Sequence, residues 1–230
     1  MTGLPPRRQA AGIVLAGGVG ARFGAGRSKA WVTTAAGETL LQVALSSLAQ
    51  VAARLYVAAP AGLALPSPPA FAPTDDDPSR PVPVRVDDLA AGEGPLAGLV
   101  PALERAAADG ATHAFILAVD MPRFSPAEFA CVAAPLLRDP AAVAVVPRTP
   151  AGLEPLFSCV RPGPAATAFR AAWDAGERAV HAAFRALGAG ALIELDAVDP
   201  AAWPGGPARL RSINRPEDLR SVLAGGHAGT

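Results

Sequence analysis

Lysine is almost missing from this chain. Among 230 residues and 20 basic side chains, Lys29 is the one lysine and the other nineteen are arginines. Twenty acidic residues balance them, so the formal net charge is zero. A chain with no excess of positive charge has no global pull toward nucleic acid or an anionic membrane surface. Cysteine is scarce as well. Cys131 and Cys159 cannot build a disulfide framework, and a reduced, cytoplasmic setting is expected. Three histidines lie scattered, and no Ser–His–Asp or Cys–His arrangement is legible. No run of about 20 residues is continuously apolar, which excludes a transmembrane helix. The first residues carry Pro5-Pro6-Arg7-Arg8 and no secretory pattern.

What remains is a chain rich in Ala, Gly, Pro and Arg, with 51% hydrophobic and 17% charged residues. That composition permits a substantial core and argues against disorder. Short apolar runs alternate with helical patterns over the first 150 residues. Strands are expected at Ala11–Ala16, Arg54–Ala59, Val82–Val86, His113–Val119 and Ala141–Val146. Helices are expected from Thr39 to about Ala53, from Leu96 to Ala108 and from Ser125 to Arg138. Pro101 sits awkwardly in the second of these. Later come a strand at Glu154–Val160, helices over Pro164–Asp174 and Arg178–Leu187, and a strand at Ala191–Leu195. A capping box at Asn214–Glu217 opens a terminal helix. The alternation predicts an α/β fold, a Rossmann-like open and mostly parallel sheet with helices on both faces. Ligands then bind at the carboxyl ends of the strands.

The loop after the first strand reads Leu15-Ala16-Gly17-Gly18-Val19-Gly20-Ala21-Arg22-Phe23-Gly24-Ala25-Gly26-Arg27-Ser28-Lys29-Ala30. Glycines let backbone amides approach a phosphate, and Arg22 and Lys29 add positive charge. It is neither a dinucleotide fingerprint, because Gly24 comes one residue late, nor a P-loop, because Lys29 is followed by Ala30. Asp120 ends a strand buried on both faces, where a carboxylate must be paired or bind a cation. Asp87 follows the third strand, seven residues before Gly94. Its carboxylate could accept hydrogen bonds from a pair of adjacent N–H donors. A turn-forming role is open for Asp87, as it is for Asp88, and Asn214 reads equally well as a helix N-cap. The three tryptophans read as packing residues.

Several segments resemble the nucleotidyltransferase superfamily that has a single Rossmann-like domain. The Ala16–Gly24 loop with Lys29 is similar to its opening motif. Gly94-Pro95-Leu96-Ala97-Gly98, Ala118-Val119-Asp120-Met121-Pro122, Glu154-Pro155-Leu156-Phe157 and Ile213-Asn214-Arg215-Pro216-Glu217 look like segments of its molybdenum cofactor guanylyltransferase group. They fall in family order from residue 13 to 219. The resemblance implies one domain over 1–230, with nucleotide binding in about 11–150 and acceptor binding in about 151–222. It also implies GMP transfer from GTP to molybdopterin with release of pyrophosphate, with Mg²⁺ as cofactor held by Asp120. Catalytic roles then fall on Arg22, Lys29 and Asp120. Nucleotide contacts fall on Leu15, Ala16, Gly17, Gly18, Gly20, Arg22, Lys29, Asp87, Gly94, Pro95 and Leu96, and acceptor contacts on Asn214. Molybdenum cofactor delivery proteins are further implied partners; nucleic acid and membrane are not.

Two features depart from that group. The gap from Gly24 to Lys29 is closer to the methylerythritol phosphate cytidylyltransferases, and the chain after the second strand reads Val57-Ala58-Ala59-Pro60 where the guanylyltransferases often place an Asn. A cytidylyltransferase, acting on either acceptor, and a nucleotide-binding regulatory module with a decayed site therefore stay open as alternatives.

Overall fold

A computed structural model describes residues 3–17, 28–65, 81–121 and 123–213. The first strand, β1 (Ala10–Leu15), is buried at every position. It pairs in parallel with β2 (Arg54–Ala59) on one side and β4 (His113–Ala118) on the other, and β2 pairs in parallel with β3 (Pro83–Asp87). The helices α1 (Leu40–Ala49) and α2 (Pro95–Ala108) lie between these strands in the chain. Beyond β4 come α3 (Pro126–Arg138), β5 (Ala144–Thr149), β6 (Gly152–Leu153), β7 (Phe157–Val160), α4 (Pro162–Asp174), α5 (Val180–Arg185) and β8 (Leu192–Asp196). The sheet runs β3-β2-β1-β4-β7-β5-β6, with β8 parallel to β5.

The expected fold class is the one observed. The sheet becomes mixed in its second half, because β7 lies antiparallel between β4 and β5. Helices cover both faces. On one, α1 and α3, the latter through Phe129, pack over Val14, Phe115 and Phe157; on the other, α2, α4 and α5, the last two through Phe169 and Phe184, pack over Ile13 and Ile116. Residues 13 and 14 of one strand point into different clusters, as the two-residue side-chain period requires. Such double burial explains why β1 and β4 read as continuous apolar runs.

The capping boxes form where the sequence places them: Thr39 with Gln42 opens α1, and Ser125 with Glu128 opens α3. Helix α2 starts one residue earlier than expected, at Pro95, and runs straight through Pro101. Proline lacks the N–H that would bond the carbonyl four residues back. That carbonyl, of Ala97, accepts instead from Leu89 N–H at 2.9 Å. Among the described residues no helix is long and apolar enough to cross a membrane.

Candidate active site

Strand register sets the site. Leu15 is level with Ala58 on β2 and Ala118 on β4, so the carboxyl ends of these strands line up. The chain reverses its direction of travel across the sheet at β1, with β2 to one side and β4 to the other. A crevice opens at such a switch point. Here it is a cavity of about 340 Å³ whose lining includes Leu15, Gly17, Lys29, Gly94, Pro95 and Asp120.

Lys29 is placed by the turn it belongs to. Ser28, buried, donates through Oγ to the Ala16 carbonyl at 3.1 Å and accepts from Ala30 N–H at 3.2 Å, capping a 3-10 turn over Lys29–Trp31. That ties the far end of the Gly-rich loop back to the end of β1. Lys29 Nζ then donates to Asp120 Oδ2 at 2.6 Å, and each side chain is 16% exposed. Asp120 is held from both sides. Its carbonyl accepts from Ile213 N–H at 2.6 Å. Just beyond it, Met121 and Phe124 are buried, and Phe124 N–H donates to Ser47 Oγ at 3.1 Å. Phe124 also packs on Phe157, ring centroids 4.2 Å apart. A largely buried carboxylate is thus held at the cavity by packed neighbours.

The third strand differs from expectation by one residue, and the shift changes the site. It ends on Asp87, not Val86. Arg85 and Asp87 therefore project to the same face, two residues apart. They pair at 2.8 Å, and Asp87 is 59% exposed and outside the cavity lining. The structure does not bring Asp87 to the cavity; it brings Asp88. Sequence reasoning set Asp88 aside as a turn residue. Its amide donates to the Ala59 carbonyl, and its carboxylate swings into the cavity against α2. A Cβ on Gly98 would stand 2.6 Å from Asp88 Oδ1, and one on Gly17 would stand 3.2 Å from Oδ2. Two glycines therefore make the room. Among the described residues Oδ1 is buried with no hydrogen-bond partner. Burial, reinforced by Asp87 and opposed by Arg85, pushes the Asp88 carboxyl up to about 6. The one signal that could have found it is Gly98, a helix-interior glycine that costs stability unless space is needed.

Ala16 and Leu96 are buried next to the lining residues rather than in the lining. Gly18, Gly20, Arg22 and Asn214 lie outside the described residues, as does the expected terminal helix. Ala58, Pro60, Gly92, Gly98, Val119 and Leu156 complete the lining. Leu156 comes from the Glu154–Leu156 turn, whose Leu156 carbonyl accepts from Ala118 N–H.

A crevice at the carboxyl ends of the parallel strands of an open, mixed sheet, with a cation–carboxylate pair inside, defines a Rossmann-like nucleotide-binding fold. Residues 12–189 match the MobA-like NTP transferase domain, and the chain belongs to that family. It is 38% identical over 119 residues to a probable molybdenum cofactor guanylyltransferase of Mycobacterium avium, a match covering 51% of this chain and 53% of that protein. The chain thus spans about half the length of that relative. A protein of the same description from Chloroflexus aggregans is 29% identical over 230 residues, covering 96% of this chain and 97% of the relative. The structure of molybdopterin-guanine dinucleotide biosynthesis protein A from Archaeoglobus fulgidus superposes with a TM-score of 0.62 at 20% identity, over 93% of this chain and 97% of that one. A 2-C-methyl-D-erythritol 4-phosphate cytidylyltransferase from Thermus thermophilus gives 0.60 at 19% identity, over 92% and 96%. At these identities the two superpositions speak to the fold and do not choose a base.

Proposed function

We propose that the chain is a guanylyltransferase that transfers GMP from GTP to the phosphate of molybdopterin and releases pyrophosphate. The observation that carries this reading is the polarity of one cavity. It holds the Lys29–Asp120 pair beside the ends of β1 and β4, and beyond β3 a buried carboxylate oxygen with no partner among the described residues. An unsatisfied buried acceptor invites a donor. Guanine offers two adjacent donors, N1–H and N2–H₂, that one carboxylate can accept; the corresponding edge of cytosine begins with an acceptor, N3, which a carboxylate repels. Asp88 thus takes the role that the sequence suggests for Asp87. The relatives from Mycobacterium avium and Chloroflexus aggregans carry the same activity in their names.

An ionised acceptor phosphate is already a nucleophile, so no general base is needed. Its oxygen attacks the α-phosphorus, the bond to the β-phosphate oxygen breaks, and pyrophosphate leaves. Catalysis is then positioning and charge neutralisation. Lys29 supplies a fixed point charge to the phosphates, and Arg22 belongs to the same loop. The Asp120 carboxylate is a hard oxygen donor and fits Mg²⁺, which takes one or two carboxylates together with phosphate oxygens. Among the described residues no three His, Cys, Asp or Glu side chains cluster, so Asp120 would hold the ion jointly with the nucleotide. When bound, Mg²⁺ neutralises phosphate charge. We assign nucleotide binding to residues 11–150 and acceptor binding to 151–222. Asn214 is kept as the proposed acceptor contact on the resemblance alone.

The test is pyrophosphate release with purified molybdopterin and each of GTP, CTP, ATP and UTP. Release with GTP and molybdopterin together supports the reading. Release with CTP in preference to GTP overturns the guanylyl assignment, and no release with any triphosphate favours the decayed-module alternative.

A further inference from the structure

One rim of the cavity is a turn with little stiffness of its own. Gly92 and Gly94 line the cavity and hold positive φ, 80° and 85°, a region that favours glycine. Gly94 is also the N-cap of α2 and offers no side chain to hold the first helical amides. Ordering glycine backbone costs more conformational entropy than ordering any other residue, so an outside anchor is needed.

That anchor is Arg178, in the link between α4 and α5. Its Nε donates to Glu93 Oε2, in the middle of the turn, at 3.0 Å. Its Nη1 donates to the carbonyls of Trp173 and Glu177, and its guanidinium lies 3.8 Å from the Trp173 ring centroid. The Arg178 carbonyl sits 3.5 Å from where a Cβ on Gly94 would stand. The link itself is braced: the Glu177 carboxylate accepts from the amides of Arg178 and Ala179 at 2.8 and 2.7 Å. A lone exposed ion pair contributes little. Arg178, however, is already fixed by its stack and its two carbonyls before it meets Glu93, so little entropy is lost in making that pair.

We propose that Arg178 is a positioning residue for the nucleotide, mooring the Gly92–Gly94 turn from the far half of the chain and so setting the rim against which the nucleotide packs. The inference rests on the nucleotide reading of the cavity given above. Arg178 acts through the turn and needs no contact with the ligand. It also gives the acceptor half of the chain a direct mechanical hold on the nucleotide half.

The test is calorimetric titration with GTP and Mg²⁺ alongside steady-state kinetics for Arg178→Ala, Arg178→Lys and Glu93→Gln. Displacing a substrate-positioning element can cost up to about 100-fold, and a moored rim is expected to give roughly 5–20-fold weaker GTP binding in Arg178→Ala. KM for GTP rises with it, while kcat and the melting temperature stay close to wild type. Lysine keeps the charge but not the fork or the stack, so Arg178→Lys restores binding only in part. Glu93→Gln weakens binding in the same direction without touching the Trp173 stack, and it decides the matter if Arg178→Ala does not fold. GTP binding equal to wild type in Arg178→Ala and Glu93→Gln overturns the inference and leaves the nucleotide reading standing. If wild type itself binds no nucleoside triphosphate, the nucleotide reading falls and takes the inference with it.

Discussion

Three side chains carry the proposed chemistry, and each makes a separate prediction. Lys29 is the one lysine in a chain that otherwise uses arginine, and it pairs with Asp120 at 2.6 Å. Arginine keeps the charge but spreads it over a planar fork that does not fit a point-charge position. Lys29→Arg is therefore expected to cut turnover by about 100-fold or more, measured as pyrophosphate release, and Asp120→Ala to abolish it with the melting temperature little changed. Asp88 is a different case, because its ionised form is costly in the folded protein. Its carboxyl is raised from near 3.8 to about 6. The folded state thus holds a proton that the unfolded state has lost between those values. Stability is full below about pH 4 and falls as pH rises through 6. Asp88→Asn should raise the melting temperature by a few degrees at pH 7.5, where about 1 kcal/mol corresponds to 2–4 °C in a chain of this size, and by nothing at pH 4. The same variant should bind GTP about 10–100-fold more weakly, since its amide turns a donor toward the donors of guanine. A residue that is destabilising when empty and needed when occupied is the pattern of a binding site rather than of a structural carboxylate.

At the scale of elements, helix α2 positions Asp88 by two subtractions. Gly98 removes a Cβ that would collide with the carboxylate at 2.6 Å. Pro101 removes an N–H and leaves the Ala97 carbonyl to hold Leu89, the neighbour of Asp88, at 2.9 Å. Gly98→Ala should leave the fold intact, since alanine is about 0.5–1 kcal/mol better than glycine inside a helix, while weakening GTP binding by displacing Asp88. Pro101→Ala restores a helical N–H that competes for the Ala97 carbonyl. The melting temperature should rise, because an interior proline costs about 3 kcal/mol, while the dissociation constant for GTP grows several-fold. Unchanged GTP binding in either variant, read by calorimetry, would separate α2 from the site.

Over the whole molecule, the parallel half was legible and the edges of its elements were not. Apolar runs at β1 and β4 announce strands covered on both faces, and the caps at Thr39 and Ser125 announce helix starts. Strand ends carry no such signal, and β3 ended one residue later than its pattern suggested. In a strand, one residue reverses which face a side chain takes. That slip exchanged Asp87 for Asp88, the difference between a surface ion pair and a carboxylate in the cavity whose Oδ1 has no partner among the described residues. Strand β5 lay three residues later than expected, and β7 entered the sheet antiparallel, because long-range pairing rather than local pattern chose its neighbours. The Lys29–Asp120 pair joins residues 91 apart in sequence, so spacing could name its members but only the β1–β4 register could bring them together.

The central claim is that one cavity binds a nucleoside triphosphate and that Asp88 selects guanine. The most direct measurement is a calorimetric titration of wild type and Asp88→Asn with GTP and with CTP, each in Mg²⁺. Wild type is expected to bind GTP at least about tenfold more tightly than CTP, and Asp88→Asn to lose that preference, since leaving a buried acceptor unpaired costs about 1–3 kcal/mol. Tighter binding of CTP by wild type, or a guanine preference that survives in Asp88→Asn, would contradict it.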